Sequence, residues 1–103
     1  MTDSRLEERL PVLEIVRLRC AGATRRRAEA ALSALLAEPE VSNARLLRSA
    51  EADHELALLL WSEAGSTPGG GPSPLGLRLA RELRSFGAVS YSVWMEIGAT
   101  SAR

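Results

Sequence analysis

The chain has 103 residues, which is one domain's worth. Its 13 basic residues balance its 13 acidic ones, and 46% of it is apolar against 25% charged, a composition that argues against disorder. The zero net charge also removes any electrostatic reason to expect nucleic acid or an anionic membrane as partner.

Residues 1–10 form a charged leader without the apolar stretch of a signal peptide, so the cytoplasm is the expected compartment. From Val12 to Cys20 the residues sort by parity: Val12, Val16, Leu18 and Cys20 on one face, Leu13 and Ile15 on the other. Apolar residues on both faces predict a strand covered from both sides. Ala21-Gly22-Ala23 reads as a turn, and Thr24 as the N-cap of a helix running to about Glu38, where Pro39 stops it. Ala28, Ala31, Leu32, Leu35 and Leu36 carry the spacing of one buried helix face.

Two further apolar runs, Ala44–Arg48 and Glu55–Trp61, flank Glu51-Ala52-Asp53-His54 and predict a hairpin. The second run is again apolar on both faces. Ala64 to Pro74, with Gly69-Gly70-Gly71 between prolines, is a loop joining this strand to the next helix and a candidate gate over the cleft between sheet and helices. Ser73 is a suitable N-cap and Pro74 suits the first helical position. Leu75, Leu79, Leu83 and Phe86 make the buried stripe of that helix, with Gly87 as its stop. Ala88 to Ile97 alternates strictly, Val89, Tyr91, Val93, Met95 and Ile97 facing one way, Ser90, Ser92, Trp94 and Glu96 the other.

The order strand, helix, strand, strand, helix, strand predicts an α+β fold of the ferredoxin-like β-α-β-β-α-β kind, with a four-stranded antiparallel sheet over residues 11–98 and a short tail at 99–103. Two helices cover one face of such a sheet. The apolar residues on the other face predict a homodimer packed sheet to sheet.

The pattern from Asn43 to Ile97 resembles the antibiotic biosynthesis monooxygenase family of dimeric α+β barrels. The strand ending Leu58-Leu59-Leu60-Trp61-Ser62-Glu63 and the helix start Ser73-Pro74-Leu75 carry the likeness. The resemblance implies a protein that binds a small aromatic ligand, and among its activities the cofactor-independent oxygenation of a quinol or polycyclic aromatic phenol, with no cofactor required. Gly65 to Leu75 lacks a histidine and the first strand lacks an asparagine, which argues against haem ligation. The other reading is a non-catalytic dimeric module for ligand sensing or assembly.

Within that frame Trp61, Arg78 and Asn43 are the candidate catalytic residues, and Trp61, Tyr91 and Trp94 the candidate substrate-binding ones. Trp61 offers a stacking surface for an aromatic ligand in the space between sheet and helices, against the plainer reading of core or interface packing. Arg78 flanks the buried helix stripe and could meet a phenolate; a surface i,i+4 pair with Glu82 is the alternative. Tyr91 reads as a core residue with a satisfied hydroxyl, and Trp94 as lining a cavity or a dimer contact. Arg25, Arg26 and Arg27 in the first helical turn read as a solvated cluster, His54 as an exposed hairpin residue and Cys20 as an inert buried thiol. One histidine and one cysteine argue against a metal enzyme, and no metal ligands are expected.

Overall fold

Strand β1 (Pro11–Arg19) lies inside a four-stranded sheet of order β2-β3-β1-β4, formed with β2 (Ala44–Arg48), β3 (Glu55–Glu63) and β4 (Ala88–Met95). The computed structural model describes residues 11–63 and 72–98. The leader 1–10, the tail 99–103 and most of the glycine-rich loop, with the gating role considered for it, lie outside the described residues. All three strand pairings are antiparallel. Helices α1 (Gly22–Leu36) and α2 (Pro74–Leu83) complete the ferredoxin-like β-α-β-β-α-β order expected from the sequence.

The register fixes which residues share a face. Val12, Glu14, Val16 and Leu18 of β1 stand beside Leu60, Leu58 and Leu56 of β3 and Met95, Val93, Tyr91 and Val89 of β4. This face receives the helices. Val16, Leu18, Leu56, Leu58 and Leu60 are buried there against Ala28 and Leu32 of α1 and Leu79, Ala80 and Leu83 of α2. Each fully buried leucine contributes about 1.5–3 kcal/mol relative to leaving it exposed. Cys20 is a free, buried thiol in the same cluster, and Phe86 packs against its edge.

Two helix boundaries differ from expectation. α1 begins at Gly22, with Ala21 in the cap position and no side-chain cap, so Thr24 lies inside the helix and Gly22 and Ala23 are not a turn. The end of β1 sets this start. Cys20 N–H donates to the His54 carbonyl at 2.8 Å, holding the chain to the hairpin, and Arg25 N–H already reaches the Ala21 carbonyl at 2.9 Å. With that backbone geometry imposed, capping chemistry does not choose the first turn. At the other helix, α2 ends at Leu83 with Arg84 as C-cap, in right-handed helical geometry. Gly87 serves a different need from a left-handed stop: a Cβ there would run into the Arg19 carbonyl and approach Cys20 Cβ to 3.0 Å. It lets the chain enter β4 close against β1.

The other face carries Leu13, Ile15, Arg17 and Arg19 of β1 with Trp61, Leu59, Ala57 and Glu55 of β3 and Trp94, Ser92, Ser90 and Ala88 of β4. None of the described elements covers it. Trp61 and Trp94 are 40% and 59% exposed, and Leu47 of β2 is exposed on the same side. No described helix is long and apolar enough to cross a membrane.

Candidate functional site

The most unusual group on the covered face is Glu14, a carboxylate only 2% exposed among valines and leucines. Its position follows from strand alternation alone: it sits between Val12 and Val16 on the parity that faces the helices. An isolated carboxylate in such surroundings is costly unless its acceptor sites are filled. Three donors fill them. Ser73 N–H donates to Oε1 at 2.8 Å, the Ser73 hydroxyl lies 2.7 Å from Oε2 and 3.0 Å from Oε1, and the Tyr91 hydroxyl donates to Oε1.

Two elements bring these donors in. Tyr91 is diagonal to Glu14 on β4, since β4 pairs Val93 with Glu14 and Tyr91 with Val16. Ser73 is the N-cap of α2, its hydroxyl accepting from Gly76 N–H at 3.0 Å while Pro74 occupies the first turn. The carboxylate thus lies at the positive end of α2, where the helix dipole favours an anion. Gly76 makes the approach attainable, because a Cβ at this position would fall on the Tyr91 hydroxyl and on Glu14 Oε1. Burial, followed by the adjacent Glu14 carboxylate, raises the Tyr91 pKa well above the usual tyrosine range. Tyr91 is therefore a phenol that keeps its proton and points it at a carboxylate.

The residues singled out from the sequence are dispersed around this cluster. Tyr91 is in it, with the satisfied hydroxyl expected of it. Trp61 is on the opposite face of β3, away from the space between sheet and helices in which a stacked ligand was anticipated. Its backbone N–H donates to the Asn43 carbonyl at 2.9 Å, and Asn43, at φ 54°, makes the left-handed turn into β2 that asparagine tolerates. Asn43 and Trp61 are thus neighbours through the backbone, with the Asn43 side chain exposed. Trp94 shares the open face with Trp61, and its indole N–H donates to Ser92 Oγ at 2.8 Å.

Arg78 lies at the surface and makes the i,i+4 pair with Glu82. Its guanidinium is 44% exposed and held by Glu82 at 3.2 Å, Glu38 at 3.5 Å and Glu40 at 3.9 Å, which ties α2 to the segment after α1. These carboxylates, Glu82 first, raise its pKa further. The start of α1 at Gly22 moves Arg26 and Arg27 from the expected first turn into the second, where both are exposed, while Arg25 is paired with Glu29 at 2.7 Å. His54 is exposed in the hairpin. Among the described residues no three His, Cys, Asp or Glu side chains are grouped as metal ligands.

Sequence reasoning passed over Glu14 and assigned Ser73 only its capping role. The signal was present: one charged residue in the middle of an apolar parity series, on a strand apolar on both sides. The donor that meets it, 59 residues away, could not be read from the pattern.

This sheet order with two helices on one face is the ferredoxin-like fold. Two solved structures share it, both of SnoaB, a cofactor-independent oxygenase from Streptomyces nogalater. One is a point variant, with TM-score 0.55, 18% identity and coverage of 86% of this chain and 95% of that one. The other gives TM-score 0.54, 18% identity and coverage of 87% and 96%. No protein-family description matches the chain, and no curated protein matches it.

Proposed function

We propose that the chain is a homodimeric barrel protein that binds a small planar phenol or quinol and oxygenates it without a cofactor. The observation that carries this reading is the Glu14–Ser73–Tyr91 cluster, a proton acceptor built into an apolar space on the fold that SnoaB also has. Cofactor-independent oxygenation needs a substrate made electron-rich by losing a proton. Tyr91 would meet the ligand's hydroxyl and, as it accepts that proton, pass its own to Glu14. Ser73 and the N-terminus of α2 hold the carboxylate in place for this transfer. The deprotonated ligand then supplies the electrons to O2: a ring CH bonds one oxygen atom, and the resulting peroxide takes the proton held on Glu14. As the O–O bond breaks and that carbon loses its hydrogen, a ring C=O is left and the second oxygen atom departs as water.

The dimer in this proposal uses the open sheet face. Leu13 is flanked by Trp61 and Trp94 in one cross-strand row, and Ile15 by Leu59 in the next, which makes an apolar band suited to a second copy of itself. Trp61 and Trp94 serve as interface anchors in this reading, and Asn43 shapes the backbone beside Trp61.

A specific observation favours the second reading, a non-catalytic dimeric ligand-sensing or assembly module. The acceptor sites of Glu14 are taken by the protein's own donors, and two cavities, of about 260 and 250 Å³, are lined by residues other than Glu14, Tyr91 and Trp61. Oxygen-electrode assays with anthrones and quinols separate the two. The oxygenase reading expects uptake that falls by about 10²-fold or more in Glu14→Gln. No uptake above background, together with no quenching of tryptophan fluorescence by any of these compounds, leaves the module.

A further inference from the structure

The open face of the sheet changes character along the strands. Away from the tryptophan row, Arg17 stands between Ala57 and Ser90, and Arg19 between Glu55 and Ala88. The small side chains leave a hollow beside the two guanidinium groups, a cavity of about 260 Å³ lined by Arg17, Arg19, Glu55, Ala88, Val89 and Ser90. Two cations face one carboxylate there. Glu55 is engaged by Arg17, which lowers the Glu55 pKa chiefly through their hydrogen bond. Arg19 makes no ion pair among the described residues.

We propose that this hollow is a binding site for a small organic carboxylate. One surplus positive charge matches a monoanion. The planar fork of Arg19 fits a carboxylate with two parallel N–H donors, and the Ser90 hydroxyl offers a third. Ala88 and the backbone of Val89 supply an apolar wall for the body of the ligand, which inorganic phosphate would leave unused. The volume suits a single-ring acid. The site is separate from the Glu14 cluster and does not depend on the oxygenase reading. It is also compatible with a dimer, since desolvating two arginines is costly and a second copy gains most by centring on the tryptophan row.

Calorimetric titration of the full chain with benzoate tests the proposal, with inorganic phosphate as the comparison anion. The expected result is saturable benzoate binding, weaker binding of phosphate, a loss of about tenfold or more in benzoate affinity in Arg19→Ala and little recovery in Arg19→Lys, which keeps the charge without the fork. Glu55→Gln, which frees Arg17, should tighten binding severalfold. Sedimentation of Arg19→Ala should match the unsubstituted chain. The proposal is overturned by the absence of saturable heat up to about 10 mM benzoate, by phosphate binding tighter than benzoate, or by unchanged affinity in Arg19→Ala. It is equally overturned if Arg19→Ala alters the mass in solution, which would assign the hollow to a contact between copies.

Discussion

The two faces of the sheet come from the same strands, residue by alternate residue, yet they have opposite fates. Leu58 is 1% exposed beneath the helices, while its neighbour Leu59 shares the open face with the exposed Trp61 and Trp94. Apolar content does not distinguish them. The chain's connections do, since both helices pack on the same side. The covered face also carries the one buried charge in the described core, Glu14, and the open face carries the exposed tryptophans. Where solvent is excluded, a polar group must be fully bonded; where it is not, aromatic area stays available to a partner.

The strongest way to break this comparison is to truncate neighbours that point opposite ways. Leu58→Ala should cost about 2–5 kcal/mol in denaturant unfolding, because its cavity lies in a packed core. Leu59→Ala should cost less than about 1 kcal/mol in the dissociated chain. Equal losses would mean that the two faces are equally packed.

On the open face, Trp61→Ser and Trp94→Ser should each weaken a sheet-to-sheet dimer by about 2 kcal/mol or more, roughly thirtyfold in dissociation constant. Sedimentation equilibrium reads this directly. A stable monomer of the unsubstituted chain at micromolar concentration would remove the dimer altogether.

The buried charge gives a third test. Glu14→Ala leaves the Ser73 and Tyr91 donors without their acceptor and should cost about 1–3 kcal/mol. The same cluster predicts a pH dependence. Because the Tyr91 pKa is raised in the folded chain, the native state keeps a proton that the unfolded chain gives up above about pH 10. That contribution is fully present below this pH and is lost as pH rises beyond it. Tyr91→Phe should flatten the decline in a series of unfolding curves at alkaline pH.

The smallest effect belongs to the surface. Arg78→Ala removes an exposed guanidinium shared among Glu38, Glu40 and Glu82 and should change stability by less than about 1 kcal/mol. A larger loss, or an effect on oxygen uptake, would return Arg78 to the candidate site.

Alternation, turn residues and helix spacing are local properties, so they could be read directly. They determined the element order, the bounds of β2, the Ser73–Pro74 start of α2 and the two-sided apolar character of β1 and β3. They also placed Tyr91 among core residues. The start of α1 was not local: where β1 left the sheet overrode the side-chain cap at Thr24. The side of β3 on which Trp61 stands was equally hidden, because parity sorts residues into two faces without saying which one the helices take. Only the tertiary structure decided that Glu14 meets Ser73 and Tyr91, since this contact joins residues 59 and 77 positions apart in the chain. The physical reason is that a carboxylate's burial is tolerated only with donors around it, and which donors arrive depends on how strands and helix are brought together in space.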